Sequence, residues 1–142
     1  MSQDRTDSYK LTYSTMFDPP ASLHERFERA VAALPSREGA DHPMWIGGRA
    51  VGGHSRFETR SPIDRDRVLG RFVSADGAAV ADAVGAAHAA WRGWAATPWT
   101  ERVRLLRRAA ALIEERVYDI AAVVAMEVGK NRMESIGEVQ ET

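Results

Sequence analysis

The sequence predicts a mainly α-helical chain carrying a short antiparallel β element. Two patterns predict it. Apolar residues recur at steps of three and four between Ser22 and Leu34, and again from Ser74 onward. Between Met44 and Val73 that period gives way to short apolar runs set around glycine pairs. Composition bounds the rest. The 142 residues are 44% hydrophobic and 27% charged, a globular balance. Lys+Arg of 19 against Asp+Glu of 20 leaves a formal net charge of -1, which argues against a dedicated nucleic-acid binder. Cysteine is absent, which excludes disulfides, thiolate-bound metal and a thiol nucleophile within this chain. No window reaches the roughly 18 uninterrupted apolar residues of a membrane span. Residues 1–10 lack the apolar stretch of a signal peptide. The expectation is a soluble, cytoplasmic chain with neither nucleic acid nor membrane as partner.

Each element has its own local signal. Residues 1–20 read as an irregular arm, with Tyr9, Leu11, Tyr13 and Phe17 among polar residues before Asp18-Pro19-Pro20. Ser22 stands in N-cap position with Glu25 three residues on. Leu23, Phe27, Ala30, Val31 and Leu34 then mark a helix that Pro35 stops. Residues 36–43 are polar and read as a linker. Met44-Trp45-Ile46 and Ala50-Val51 flank Gly47-Gly48, the signature of a tight hairpin. Phe57-Glu58-Thr59-Arg60 ends at Ser61-Pro62. After the charged turn Asp64-Arg65-Asp66-Arg67, residues 68–73 complete a small antiparallel sheet. Ser74 or Asp76 caps a helix whose Val80, Val84, Ala87, Trp91 and Trp94 form a narrow, closely packed face among alanines. Thr97-Pro98 breaks it, and Thr100 caps the next helix, striped by Leu105, Leu106, Ala109, Leu112 and Ile113. Val117, Ala121, Val124 and Val128 continue the pattern after a break near Tyr118-Asp119. Gly129 suits the left-handed position after a helix, and Lys130 suits its negative end. A last helix begins near Asn131 and is still periodic at Thr142.

Isolated constellations give no chemistry. His24, His42, His54 and His88 are scattered, without metal-ligand spacing, and no metal site is expected. Gly47-Gly48 and Gly52-Gly53 do not spell a dinucleotide fingerprint. Gly129-Lys130-Asn131 lacks the Ser/Thr of a phosphate loop, and Val124 stands where its first glycine belongs. Arg102, Arg104, Arg107 and Arg108 read as the solvated side of an amphipathic helix rather than an anion patch, helped by Glu101, Glu114 and Glu115. Ser55, His54 and Asp64 lack a nucleophile-elbow context. Trp45, Trp91, Trp94 and Trp99 read as core packing rather than base stacking. Glu134, Glu138 and Glu141 share one helical face, either solvated or turned toward a cleft.

The order of the signals says more than any one of them. Met44-Trp45-Ile46-Gly47-Gly48 is followed by Arg60-Ser61-Pro62-Ile63, Val68-Leu69-Gly70 and the alanine-rich helix to Trp94. Then come Arg102-Val103-Arg104-Leu105-Leu106-Arg107-Arg108-Ala109-Ala110, Glu127-Val128-Gly129-Lys130-Asn131 and Glu138-Val139. This succession resembles the opening of the aldehyde dehydrogenase superfamily. With the helical arm, it most resembles the L-glutamate γ-semialdehyde (1-pyrroline-5-carboxylate) dehydrogenases.

The resemblance implies an α/β parent with a Rossmann-type NAD-binding domain, a catalytic domain and an oligomerisation element. It implies residues 1–43 as an N-terminal arm with one helix, and 44–142 as the beginning of the NAD-binding domain. A cysteine thiolate attacks the aldehyde, hydride passes to NAD, and a glutamate assists hydrolysis of the thioester. None of those groups lies in this chain, so no catalytic, cofactor-binding or metal residue is expected here. One position carries over. Glu141 matches a glutamate that faces the substrate end of the cleft and pairs with the substrate ammonium group. The expectation is an N-terminal fragment, inactive alone and not binding NAD. It would come from an NAD-dependent, homo-oligomeric oxidoreductase of proline degradation with a small aldehyde as substrate. The alternatives are a dehydrogenase for another aldehyde, such as succinic semialdehyde or a betaine aldehyde, and a non-catalytic helical interaction module. Alone, the chain should be loosely packed, with apolar stripes left in water.

Overall fold

The computed structural model describes residues 17–36 and 38–142. Tyr9, Leu11 and Tyr13 of the arm lie outside the described residues. Helix α1 spans Ala21–Ala33 and runs into a 3-10 turn at Leu34–Ser36. Ser22 lies inside α1 and is not its cap. Pro20, fixed at φ -64°, takes the cap position, and its carbonyl accepts the Leu23 N–H at 3.0 Å.

Five short strands follow: β1 (Ala40–His42), β2 (Met44–Ile46), β3 (Arg49–Val51), β4 (Arg56–Arg60) and β5 (Val68–Val73). The stretch read as a linker therefore contains a strand. The expected antiparallel sheet divides in two. β2 and β3 form the hairpin, with Trp45 opposite Ala50 and both Gly47 and Gly48 at positive φ. The other sheet has the order β1-β5-β4, with β4 antiparallel and β1 parallel to β5. Its register separates two faces. His42, Phe72 and Phe57 stand side by side on one, with ring centroids 4.8 and 5.6 Å apart. Asp41, Arg71 and Glu58 align on the other, where the Arg71 Nε donates to Glu58 at 3.1 Å.

Helices α2 (Gly77–Ala96), α3 (Trp99–Glu115), α4 (Val117–Val128) and α5 (Arg132–Glu141) complete the order. Asp76 caps α2 by accepting the Ala79 N–H at 2.8 Å. Thr100 does not cap α3, which begins one residue earlier with Pro98 in the cap position. The break between α3 and α4 falls at Arg116, ahead of Tyr118-Asp119.

The core is helical. Leu23 and Phe27 of α1 pack on Ala121 and Ala125 of α4 and on Ile136 and Val139 of α5. Ala30 and Leu34 continue the seam against Ala122 and Met126. Alanines on α4 let α1 approach closely, and the larger side chains of α1 and α5 fill the space left. By contrast, α2 and α3 bury no residue. The face of α2 read as closely packed is open: Val80, Val84, Trp91 and Trp94 are all exposed, Trp91 at 65%. Trp45 and Trp99 are exposed as well, so none of the four tryptophans serves the core of this chain. The periodicity marks apolar faces, but nothing among the described residues covers them.

Candidate functional site

The α4–α5 junction is where local geometry is most specified. Gly129 ends α4 at φ 77°, donating its N–H to Ala125 O at 2.9 Å. A Cβ there would stand 3.2 Å from Pro62 Cγ, so the β4–β5 loop closes over the helix end. Beneath Pro62, Ser61 is fully buried and accepts the Ile63 N–H at 3.3 Å. Lys130 is ion-paired with Glu138 one helix face along. Asn131 then opens α5 with a capping box: its side chain accepts the Glu134 N–H at 3.0 Å, and Glu134 accepts the Asn131 N–H at 3.2 Å. The buried Ser135 donates to Asn131 O at 2.9 Å. Ile136 and Val139 face the core, which turns Glu134, Glu138 and Glu141 outward.

Of those three carboxylates, Glu134 is used by the cap and Glu138 by Lys130. Glu141 stands exposed on the last turn, with the polar face of α5 behind it. Such a carboxylate can pair with a cation. Arg60, and after it Arg71, hold the Glu58 carboxyl below its ordinary value, and Glu38 raises Arg67.

The remaining candidates are accounted for structurally. His42 stacks on Phe72, His24 meets Arg132, and His54 and His88 are exposed. No cluster of three or more His, Cys, Asp or Glu residues that could hold a metal occurs among the described residues. Asp64 accepts the Asp66 N–H at 3.1 Å in a turn, away from any nucleophile role. Gly53 is required by space, because a Cβ there would meet Val73 Cγ1 at 2.5 Å. On α3, Arg104 pairs with Glu101 at 2.8 Å and Arg108 lies 3.8 Å from Glu115, as a solvated face would. The glycine pairs thus serve a hairpin and a close contact, and none forms a phosphate cradle. Sequence reasoning missed Arg132, whose partners lie on α1; the signal was His24, Phe27 and Glu28 sharing one face of that helix.

Residues 50–142 match the aldehyde dehydrogenase family. The chain is 31% identical over 125 residues to 1-pyrroline-5-carboxylate dehydrogenase 2 of Bacillus subtilis (strain 168), covering 88% of this chain and 24% of that protein. It is 40% identical over 96 residues to N-succinylglutamate 5-semialdehyde dehydrogenase of Serratia proteamaculans (strain 568), covering 68% of this chain and 19% of that protein. The solved 1-pyrroline-5-carboxylate dehydrogenase from Thermus with bound NAD aligns with a TM-score of 0.84 and 30% identity, over 87% of this chain and 24% of that one. The chain therefore spans 24% or less of the length of these relatives. Among the described residues, no helix is long and apolar enough to cross a membrane. With its motifs in family order, its fold shared and most of its length matched, the chain belongs to the aldehyde dehydrogenase family.

Proposed function

We propose that this chain is the N-terminal portion of an NAD-dependent, cytoplasmic dehydrogenase that oxidises L-glutamate γ-semialdehyde to L-glutamate in proline degradation. In this reading residues 1–43 are an arm with one helix, and 44–142 open the NAD-binding domain. The observation that carries it is the extent of the likeness. A match over 125 of 142 residues has to take in α1, so it reaches well ahead of the family match that begins at residue 50. The α1 helix is also what α4 and α5 are packed on, which ties the arm to the element that bears Glu141.

The part played by this chain is binding and placement. Glu141, exposed at the tip of α5, pairs with the ammonium group of the amino-aldehyde and holds it by charge. NAD supplies the hydride acceptor and is held by residues outside this chain. The thiol nucleophile comes from outside it too, since the sequence holds no cysteine.

A second reading has its own support. The 40% identity to an N-succinylglutamate 5-semialdehyde dehydrogenase favours a substrate whose amine is acylated. Such a substrate has no ammonium for Glu141 to pair with. The complete protein, assayed for NAD reduction with both aldehydes, decides between them. The first reading expects the higher kcat/KM for L-glutamate γ-semialdehyde and its loss in Glu141→Gln. Preference for the succinylated aldehyde, or indifference to Glu141→Gln, would count for the second. No reduction with any aldehyde would leave a non-catalytic module.

A further inference from the structure

We infer that Arg132 is a positioning residue: it locks the first turn of α5 onto α1 and thereby fixes where Glu141, at the far end of the same helix, stands. The inference rests on the role given to Glu141 above. Arg132 is the first residue of α5, directly after the Asn131 cap. A cation there faces the positive end of the helix dipole, so α5 itself gains nothing from it. The side chain is instead taken up by α1. One terminal guanidinium nitrogen donates to His24 Nδ1 and the other to Glu28 Oε1. The guanidinium carbon lies 5.0 Å from the centroid of the Phe27 ring. His24, Phe27 and Glu28 stand at i, i+3 and i+4, a single face of α1 closing on a single side chain. Since arginine only donates, His24 Nδ1 is the acceptor in this contact. The Arg132 side chain is 27% exposed, and its Nε is buried with no hydrogen-bond partner among the described residues. A helix does not hold a half-buried cation at its own unfavourable end unless the tertiary grip outweighs that cost.

The grip matters because of leverage. Ser135, Ile136 and Val139 bury the later turns of α5, whereas Arg132 fixes the first. From Arg132 to Glu141 the helix rises about 14 Å. A tilt of about 10° at the base carries the tip about 2 Å, and misplacement by about 1 Å is enough to cost much of a binding group's effect. Glu141 itself is exposed, so the place of its carboxylate follows the axis of α5, which Arg132 holds at the first turn and Val139 at the last.

The test uses the complete protein and two substrates: L-glutamate γ-semialdehyde, and glutaric semialdehyde, the same chain without the ammonium group. The readout is the ratio of their kcat/KM values. Glu141→Gln should lower the ratio about tenfold. Arg132→Gln should lower it in the same direction, about three- to tenfold, and the double variant should fall no further than Glu141→Gln alone. If Arg132→Gln loses its circular-dichroism signal, Arg132→Lys, which keeps the charge but not the two-pronged grip, reads the same ratio. An Arg132 variant that slows both substrates equally, or neither, overturns the inference. A ratio unmoved by Glu141→Gln would instead remove the ammonium role of Glu141, and the inference with it.

Discussion

Replacing Gly129 by alanine would test the α4–α5 junction at its tightest point. The residue sits at φ 77°, and a Cβ would press on Pro62 at 3.2 Å. Left-handed backbone alone costs a non-glycine residue about 1–2 kcal/mol. The contact with a ring that lies over a buried serine adds to this. Gly129→Ala should therefore destabilise by about 1–2 kcal/mol or somewhat more in urea unfolding. A second residue-scale expectation concerns pH. Arg60, hydrogen-bonded at 2.6 Å, lowers the Glu58 carboxyl from its ordinary value of 4.5, and Arg71 adds to this. A lowered folded value means the stabilisation is fully present above 4.5 and is lost as pH falls through the lower folded value. Glu58→Gln should flatten the acid limb of a stability–pH curve in that window by lowering stability at neutral pH, where the carboxylate's contribution is fully present, and should converge with the parent chain at low pH. An unaltered acid limb would show that the Arg60–Glu58–Arg71 group does not couple to folding.

The helices divide into two kinds. α1, α4 and α5 hold each other through Leu23, Phe27, Ala121, Ala125, Ile136 and Val139. Leu23 is 1% exposed, and Leu23→Ala should destabilise by about 3 kcal/mol, measured as loss of helical circular dichroism in denaturant. The same truncation at Leu106 of α3, an exposed position, should cost well under 1 kcal/mol, about the level of an ordinary surface change. These helices were legible in the sequence because their signals are local. Leu23, Phe27, Ala30 and Leu34 keep the period that the buried face requires. Asp76, Gly129 and Asn131 each satisfy helix ends within a few residues of themselves. The β1 strand was not legible. Ala40-Asp41-His42 shows no alternation, all three are exposed, and its parallel partner is β5, about thirty residues on. Nor was the role of Arg132, since His24 lies 108 residues away in sequence. Periodicity also could not tell whether the face of α2 is covered, because it reports that a face exists and not what lies on it. The candidate site residue, Glu141, rests on the resemblance alone, because an exposed glutamate on a polar helix face carries no signal of its own in spacing or burial.

At the scale of the molecule, α2 and α3 stand apart: Trp91, Trp94, Trp99, Leu105 and Leu106 face outward, and neither helix buries a residue among the described residues. The larger dehydrogenase proposed above would supply their cover. Expressed by itself, the 142-residue chain should be cut by protease within residues 77–115 before α1, α4 or α5 is touched. Uniform resistance would mean that α2 and α3 are stably packed in the isolated chain.

In the function proposed above, this chain places a substrate whose chemistry is done by a thiol it does not contain. The most direct measurement is NADH formation from L-glutamate γ-semialdehyde, by the complete protein and by the 142-residue chain in parallel. Turnover by the complete protein, with none above background from the isolated chain, is the predicted result. Turnover by the cysteine-free chain, or a complete protein inert toward the aldehyde, would contradict it.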